Sequence, residues 1–148
     1  MGDSSSVILR KVGLMNVVGH GIDLVEIAKM RRWIEDPRDP LIPRCFVQAE
    51  LDEVGDGVNR IESLAGRFAA KEAVLKAIGT GFGAGVAFTD VMIHRAPGAA
   101  PKVRLSGGAA QAAKALGVLD WQISISHAGG IAMASVLAFA AEDQAGGS

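Results

Sequence analysis

At 148 residues the chain is long enough to bury a core without disulfides or structural metal, and one domain is the simplest reading. A formal net charge of -1 lacks the basic excess of a nucleic-acid binder, so any basic surface must be local. The single cysteine, Cys45, excludes an internal disulfide, points to a reducing compartment and reads as a small core residue.

No stretch approaches the ~18 to 20 apolar residues that span a bilayer, and the N-terminus lacks the apolar run of a secretory signal. A cytoplasmic protein with no membrane association is expected. Met1-Gly2 with Ser6 fits the myristoylation pattern, which is short enough to arise by chance. Met15 would also serve as a start, so residues 1–14 read as a flexible extension, 15–140 as the single domain and 141–148 as a flexible tail.

Residues 16–25, NVVGHGIDLV, read as a buried strand in which Gly19 and Gly21 let another backbone come close. Asp23 stands where such a strand should carry an apolar side chain. With Glu26 three residues on, it reads first as the N-cap of a capping box. A short helix over 24–34 then carries Lys29, Arg31 and Arg32 beside Trp33, either a solvated basic face or a docking surface for an acidic partner. Three prolines make a loop of residues 36–43. Residues 46–54 begin another short helix, on which Glu50, Asp52 and Glu53 are expected to be exposed.

Residues 60–81, RIESLAGRFAAKEAVLKAIGTG, have the spacing of a long amphipathic helix, with Ile61, Leu64, Ala65, Phe68, Leu75 and Gly79 on one stripe. At about 100° per residue, Glu72 falls within that stripe, Lys76 lies one turn on, and Arg67 and Lys71 line one flank. An ionised acid facing a core is costly unless a cation meets it, so Glu72 marks either a structural ion pair or a working site. The following GTGFGAG, residues 79–85, must be a loop. It follows a helix C-terminus and lacks a GK[ST] signature, so it is no Walker-type loop; it is either a plain stop or a backbone nest for an anion.

Residues 86–95 and 102–105 alternate as a hairpin around the 96–101 turn, and Ser106 caps an alanine-rich helix ending near Gly117. Residues 121–127, WQISISH, and 131–139 form a second hairpin around Ala128-Gly129-Gly130. His127 closes its first strand, a position that by itself suits a structural histidine.

Three separated motifs, GHGIDLVEI at 19–27, RFAAKEAVLKAIGTG at 67–81 and SISHAGGIAMASV at 124–136, resemble, in this order, those of the holo-acyl-carrier-protein synthases, the small bacterial type of 4'-phosphopantetheinyl transferase. The resemblance covers residues 17–138. It implies an α+β fold in which an antiparallel sheet carries a long packed helix, assembled as a homotrimer whose sites are shared between subunits. It also implies transfer of 4'-phosphopantetheine from coenzyme A to a serine of an apo acyl carrier protein in fatty acid biosynthesis, releasing adenosine 3',5'-bisphosphate.

By the same resemblance Asp23 and Glu72 bind Mg²⁺, and Lys76 adds positive charge at the pyrophosphate. Arg67, Lys71, Gly79, Thr80, Gly81 and His127 hold the rest of coenzyme A. Glu72, His127 and a metal-bound water can each take the serine proton, and the choice stays open. Lys29, Arg31 and Arg32 become the docking surface for the acidic carrier. Two other readings remain: a non-catalytic coenzyme A-binding module, which would be marked by loss of Asp23 or Glu72, and a coenzyme A pyrophosphate hydrolase. The chain departs from the family at Val47, where a hydroxylated residue is common, and at Gly98-Ala99-Ala100-Pro101, which replaces Gly-x-Pro.

Overall fold

A computed structural model describes residues 14–38, 40–81, 83 and 85–142. The expected flexible extension, its myristoylation pattern and most of the tail lie outside them. In chain order the elements are β1 (Met15–Glu26), α1 (Ile27–Glu35), α2 (Leu41–Cys45), α3 (Gln48–Val54), α4 (Arg60–Ile78), a 3-10 turn (Phe88–Asp90), β2 (Val91–His94), β3 (Lys102–Leu105), α5 (Gly107–Ala115), β4 (Val118–Ala128) and β5 (Ile131–Ala141). The α+β expectation holds. Among the described residues no helix is long and apolar enough to cross a membrane.

The central helix α4 has 19 residues and spans about 28 Å. It is buried nearly all round, from Leu64 to Lys71 and again from Ala73 to Leu75, because a sheet covers one side and the smaller elements cover much of the rest. It ends at Gly79, whose φ of 75° is the left-handed conformation of a C-terminal glycine cap.

The sheet has strand order β1-β5-β4, antiparallel throughout. Its middle strand turns Ala132, Ala134, Val136 and Ala138 inward, all fully buried. Small side chains there let the sheet sit close to the helix. The approach is closest at β1: a Cβ built on Gly21 would lie 1.8 Å from the Ala73 carbonyl oxygen, and one on Gly19 would lie 2.1 Å from that of Ala77. No side chain fits at either place. This pattern of contacts runs β1 antiparallel to α4, and Asp23, two residues beyond Gly21 on the same strand face, is carried against the next part of the helix.

Four details differ from the sequence expectation. β1 continues through Glu26, so Asp23 is inside a strand, paired with Ala134, and does not cap α1; Glu26 holds that position without a side-chain cap bond. Residues 41–45 form α2 within the expected loop, with Pro43 in its first turn, where no backbone donor is lost. A 3-10 turn precedes β2. Glu50 is fully buried, not exposed. The β4–β5 hairpin is as expected but longer, turning on Gly129 and Gly130 at φ 59° and 78°. Cys45 is a core residue, as its size suggested.

Candidate functional site

Asp23 from β1 meets Glu72 and Lys76 from α4. Lys76 Nζ donates to Asp23 Oδ1 at 3.0 Å and to the Ile22 carbonyl at 2.9 Å. The Asp23 side chain is 15% exposed and that of Lys76 52%, so the cluster opens to solvent on the lysine side. Burial, and then the neighbouring Asp23 charge, raise the Glu72 carboxyl above its ordinary 4.5, and Lys76 only partly offsets them. Lys76 thus pairs with Asp23 and offsets only part of what acts on Glu72, so the cluster holds more negative than positive charge.

That imbalance is a test of whether a divalent ion fits. Among the described residues no group of three or more His, Cys, Asp or Glu side chains is arranged to hold a metal, so an ion here would have two carboxylates from the protein. Mg²⁺ is commonly held in this way, by one or two carboxylates with phosphate oxygens and waters completing its shell. The donor set fits.

Lys71, next to Glu72 in sequence, points elsewhere. Its ammonium is fully enclosed and donates to Glu50 Oε1 at 2.7 Å, to the Phe88 carbonyl at 3.2 Å and to the Val91 carbonyl. Its three protons are all engaged, so the expectation that Lys71 contacts coenzyme A gives way to a structural role. Glu50 is equally satisfied, accepting from the Val47 and Ile93 amides at 3.1 Å each. Burial lowers the Lys71 pKa, and the Glu50 charge and hydrogen bond pull it back up. The pair fastens α3 and the start of β2 to α4. Sequence reading missed Glu50, although it lies four residues from both Phe46 and Val54 and so shares their inward face.

A cleft of about 800 Å³ opens further toward the N-terminus of α4, with Arg67, His94, Arg95 and His127 among its walls and Ala96, Pro97 and Gly98 at one edge. Arg67 is nearly buried, and its Nη1 donates to Glu53 Oε2 at 2.9 Å and to the Ile93 carbonyl. His127 Nε2 lies 3.8 Å from Glu62 Oε2. His94 and Glu53, which pattern reading did not single out, are in contact here. The predicted site residues therefore fall into two groups: Asp23, Glu72 and Lys76 in one, Arg67 and His127 in the other. Gly79, Thr80 and Gly81 are exposed just past the Lys76 end of α4. In the sheet β5 separates the strand carrying His127 from the strand carrying Asp23.

On α1, Lys29, Arg31 and Arg32 are exposed while Met30 is fully buried, so the basic residues form the outer face. Lys29 Nζ lies 4.9 Å from the centre of the Trp33 ring.

Residues 19–134 match the model of the 4'-phosphopantetheinyl transferase superfamily. The chain is 40% identical over 121 residues to the holo-[acyl-carrier-protein] synthase of Koribacter versatilis, covering 82% of this chain and 97% of that protein. It is 41% identical over 125 residues to the synthase of Streptomyces coelicolor, covering 84% and 98%. The crystal structure of the Helicobacter pylori synthase in complex with coenzyme A is similar at a TM-score of 0.70 and 31% identity, over 80% of this chain and 98% of that one. The match begins within β1, ends within β5 and includes both carboxylates of the cluster, and the chain belongs to the 4'-phosphopantetheinyl transferase superfamily, within its holo-[acyl-carrier-protein] synthases.

Proposed function

We propose that the protein transfers 4'-phosphopantetheine from coenzyme A to a serine of an apo acyl carrier protein, in the cytoplasm and in the service of fatty acid biosynthesis, releasing adenosine 3',5'-bisphosphate. The carrying observation is the Asp23–Glu72 pair held with too little positive charge beside Lys76. The named activity of the relatives and the coenzyme A complex of the Helicobacter pylori synthase support the same reading.

In the reaction the serine oxygen forms a bond to the phosphorus nearer pantetheine, the phosphoanhydride bond breaks, and the bisphosphate leaves with the electron pair. Such a transfer asks the protein chiefly for alignment and charge neutralisation. Asp23 and Glu72 would hold Mg²⁺, which, when bound, supplies positive charge to the pyrophosphate oxygens. Lys76, half exposed beside them, adds a second cation to the same group. Arg67 and His127, with the Gly79-Thr80-Gly81 loop, hold the nucleotide end. Glu72 is one acceptor in the chain for the serine proton, and His127 is the other.

The two groups share α4, but their strand residues, Asp23 of β1 and His127 of β4, are separated by β5 in the sheet, which favours a homotrimer that brings the cleft of one copy to the carboxylates of the next. The outer face of the sheet supports this assembly: Ile22 and Leu24 of β1 and Ile131 and Met133 of β5 are exposed large apolar residues on the side facing away from α4. Lys29, Arg31 and Arg32 dock the acidic carrier.

The test is release of adenosine 3',5'-bisphosphate from coenzyme A and Mg²⁺, with and without apo carrier. Release should require the carrier. Carrier-independent release would mean hydrolysis, and coenzyme A binding without release would mean a binding module.

A further inference from the structure

Two carboxylates, Glu53 and Glu62, line a cleft whose proposed ligand is an anion, and Glu53 is the one hydrogen-bonded to the cleft's donors. Glu53 of α3 accepts from Arg67 Nη1 at 2.9 Å, from the Arg95 backbone amide at 3.2 Å and from His94 Nδ1. One side chain thereby joins α3, α4 and β2. An acid beside a phosphate site should weaken it, unless that acid is consumed in arranging the donors.

The geometry fits that arrangement. With Nδ1–H donated to Glu53, the other ring nitrogen of His94, Nε2, is left for a ligand and donates to a phosphate oxygen in the imidazolium form, and the imidazole is nearly half exposed on the cleft. Arg67, held at Nη1, has little freedom to leave the wall it lines. Arg95, placed by the hydrogen bond from its backbone N–H to Glu53, also donates from Nε to the Ala99 carbonyl at 3.3 Å, which ties down the turn at the cleft's edge. Burial alone would raise the Glu53 carboxyl, but the bonds from Arg67, Arg95 and His94 outweigh it and keep the group below its ordinary 4.5. Glu53 therefore stays charged as the anchor of this set. Arg67, His94, Arg95 and His127 line the same cleft, with Glu62 3.8 Å from His127, and their donors suit the several acceptor oxygens of a phosphate monoester.

We propose that Glu53 is a positioning residue that presents Arg67 and His94 to the phosphate monoester of the coenzyme A nucleotide. The inference rests on the function proposed above and adds residues that the sequence motifs do not include.

The experiment is calorimetric titration of the full-length protein, in Mg²⁺ buffer, with adenosine 3',5'-bisphosphate and with adenosine 5'-monophosphate, which lacks the 3'-phosphate. Glu53→Gln should weaken the bisphosphate by about tenfold and leave the monophosphate unchanged, as loss of charge-assisted bonds to one phosphate requires. His94→Gln, at a half-exposed position where folding is not at risk, should give a smaller loss of the same selective kind, and it decides the matter alone if Glu53→Gln does not fold. Equal weakening of both nucleotides, or unchanged bisphosphate binding, would overturn the proposal. Carrier modification by the wild-type protein is measured in parallel. Selective loss without carrier modification would overturn the transferase reading and leave the cleft assignment standing, whereas carrier modification with no selective loss would overturn only the role of Glu53.

Discussion

Lys71 and Glu72 are consecutive in α4, yet they sit in opposite surroundings. Lys71 is sealed in the interior with an ion-pair partner and two carbonyls, and every proton it carries is used. Glu72 is half-buried, and the Asp23 charge makes its own harder to hold. A buried charge that is fully paired needs nothing further and serves as a fastener. Asp23 and Glu72, with one half-exposed lysine paired to Asp23, leave negative charge that the proposed divalent cation would neutralise. A turn of about 100° along one helix separates the fastener from the site.

The contrast can be broken from either side. Glu72→Gln should lower carrier-dependent bisphosphate release by roughly a thousandfold, the scale of losing charge stabilisation at a phosphoryl-transfer site. Its melting temperature should be unchanged or raised, because repulsion with Asp23 is relieved. Lys71→Met should act in the opposite sense, costing about 3 to 5 kcal/mol in a denaturant melt by leaving Glu50 buried without its cation. Adding Glu50→Gln should recover most of that stability; failure to recover it would mean that Lys71 does more than neutralise Glu50.

Smaller changes sharpen the comparison. Gly21→Ala must push β1 away from α4, and a cost of about 1 to 3 kcal/mol is expected, with transfer falling further as Asp23 moves from Glu72. Replacing Lys29, Arg31 and Arg32 together with alanine should raise the carrier's KM about tenfold and flatten its dependence on salt, with the KM for coenzyme A unchanged. The least effect is expected at Glu53. Its folded-state pKa is lowered, so the stability it contributes is present above its ordinary 4.5 and is lost as pH falls through the lowered value. Melts of wild type and Glu53→Gln should therefore differ above pH 4.5 and converge at more acid pH; parallel curves would show that Glu53 is not held by these bonds.

Much of this architecture can be read locally. The period of residues 60–78 gives α4, and paired glycines at 129 and 130 give the β4–β5 turn, because both depend on neighbours within a few positions. Gly19 and Gly21 signal a close backbone approach, but only the folded chain identifies the other backbone as Ala73 and Ala77. Asp23 has a plausible local partner in Glu26, which hides its distant one in Lys76, 53 residues away. The cap reading fails for that reason, and the family resemblance paired Asp23 with Glu72 where periodicity could not. Charge alone makes Glu50 read as exposed, and Lys71 reads as part of the helix's basic flank that the resemblance sets against coenzyme A. Their burial depends on a match between α3 and α4 across 21 positions, which helical spacing cannot register. Glu53 and His94 belong to the same class, being joined across 41 residues.

The central claim is that Asp23 and Glu72 face each other to hold a divalent cation against the pyrophosphate of coenzyme A. Its most direct test is the intact mass of an apo acyl carrier protein incubated with coenzyme A and either the wild-type protein or Glu72→Gln, in Mg²⁺ and after chelation. The carrier should gain one phosphopantetheine group only with the wild-type protein in Mg²⁺. The same gain at the wild-type rate with Glu72→Gln, or with the metal removed, would contradict the account.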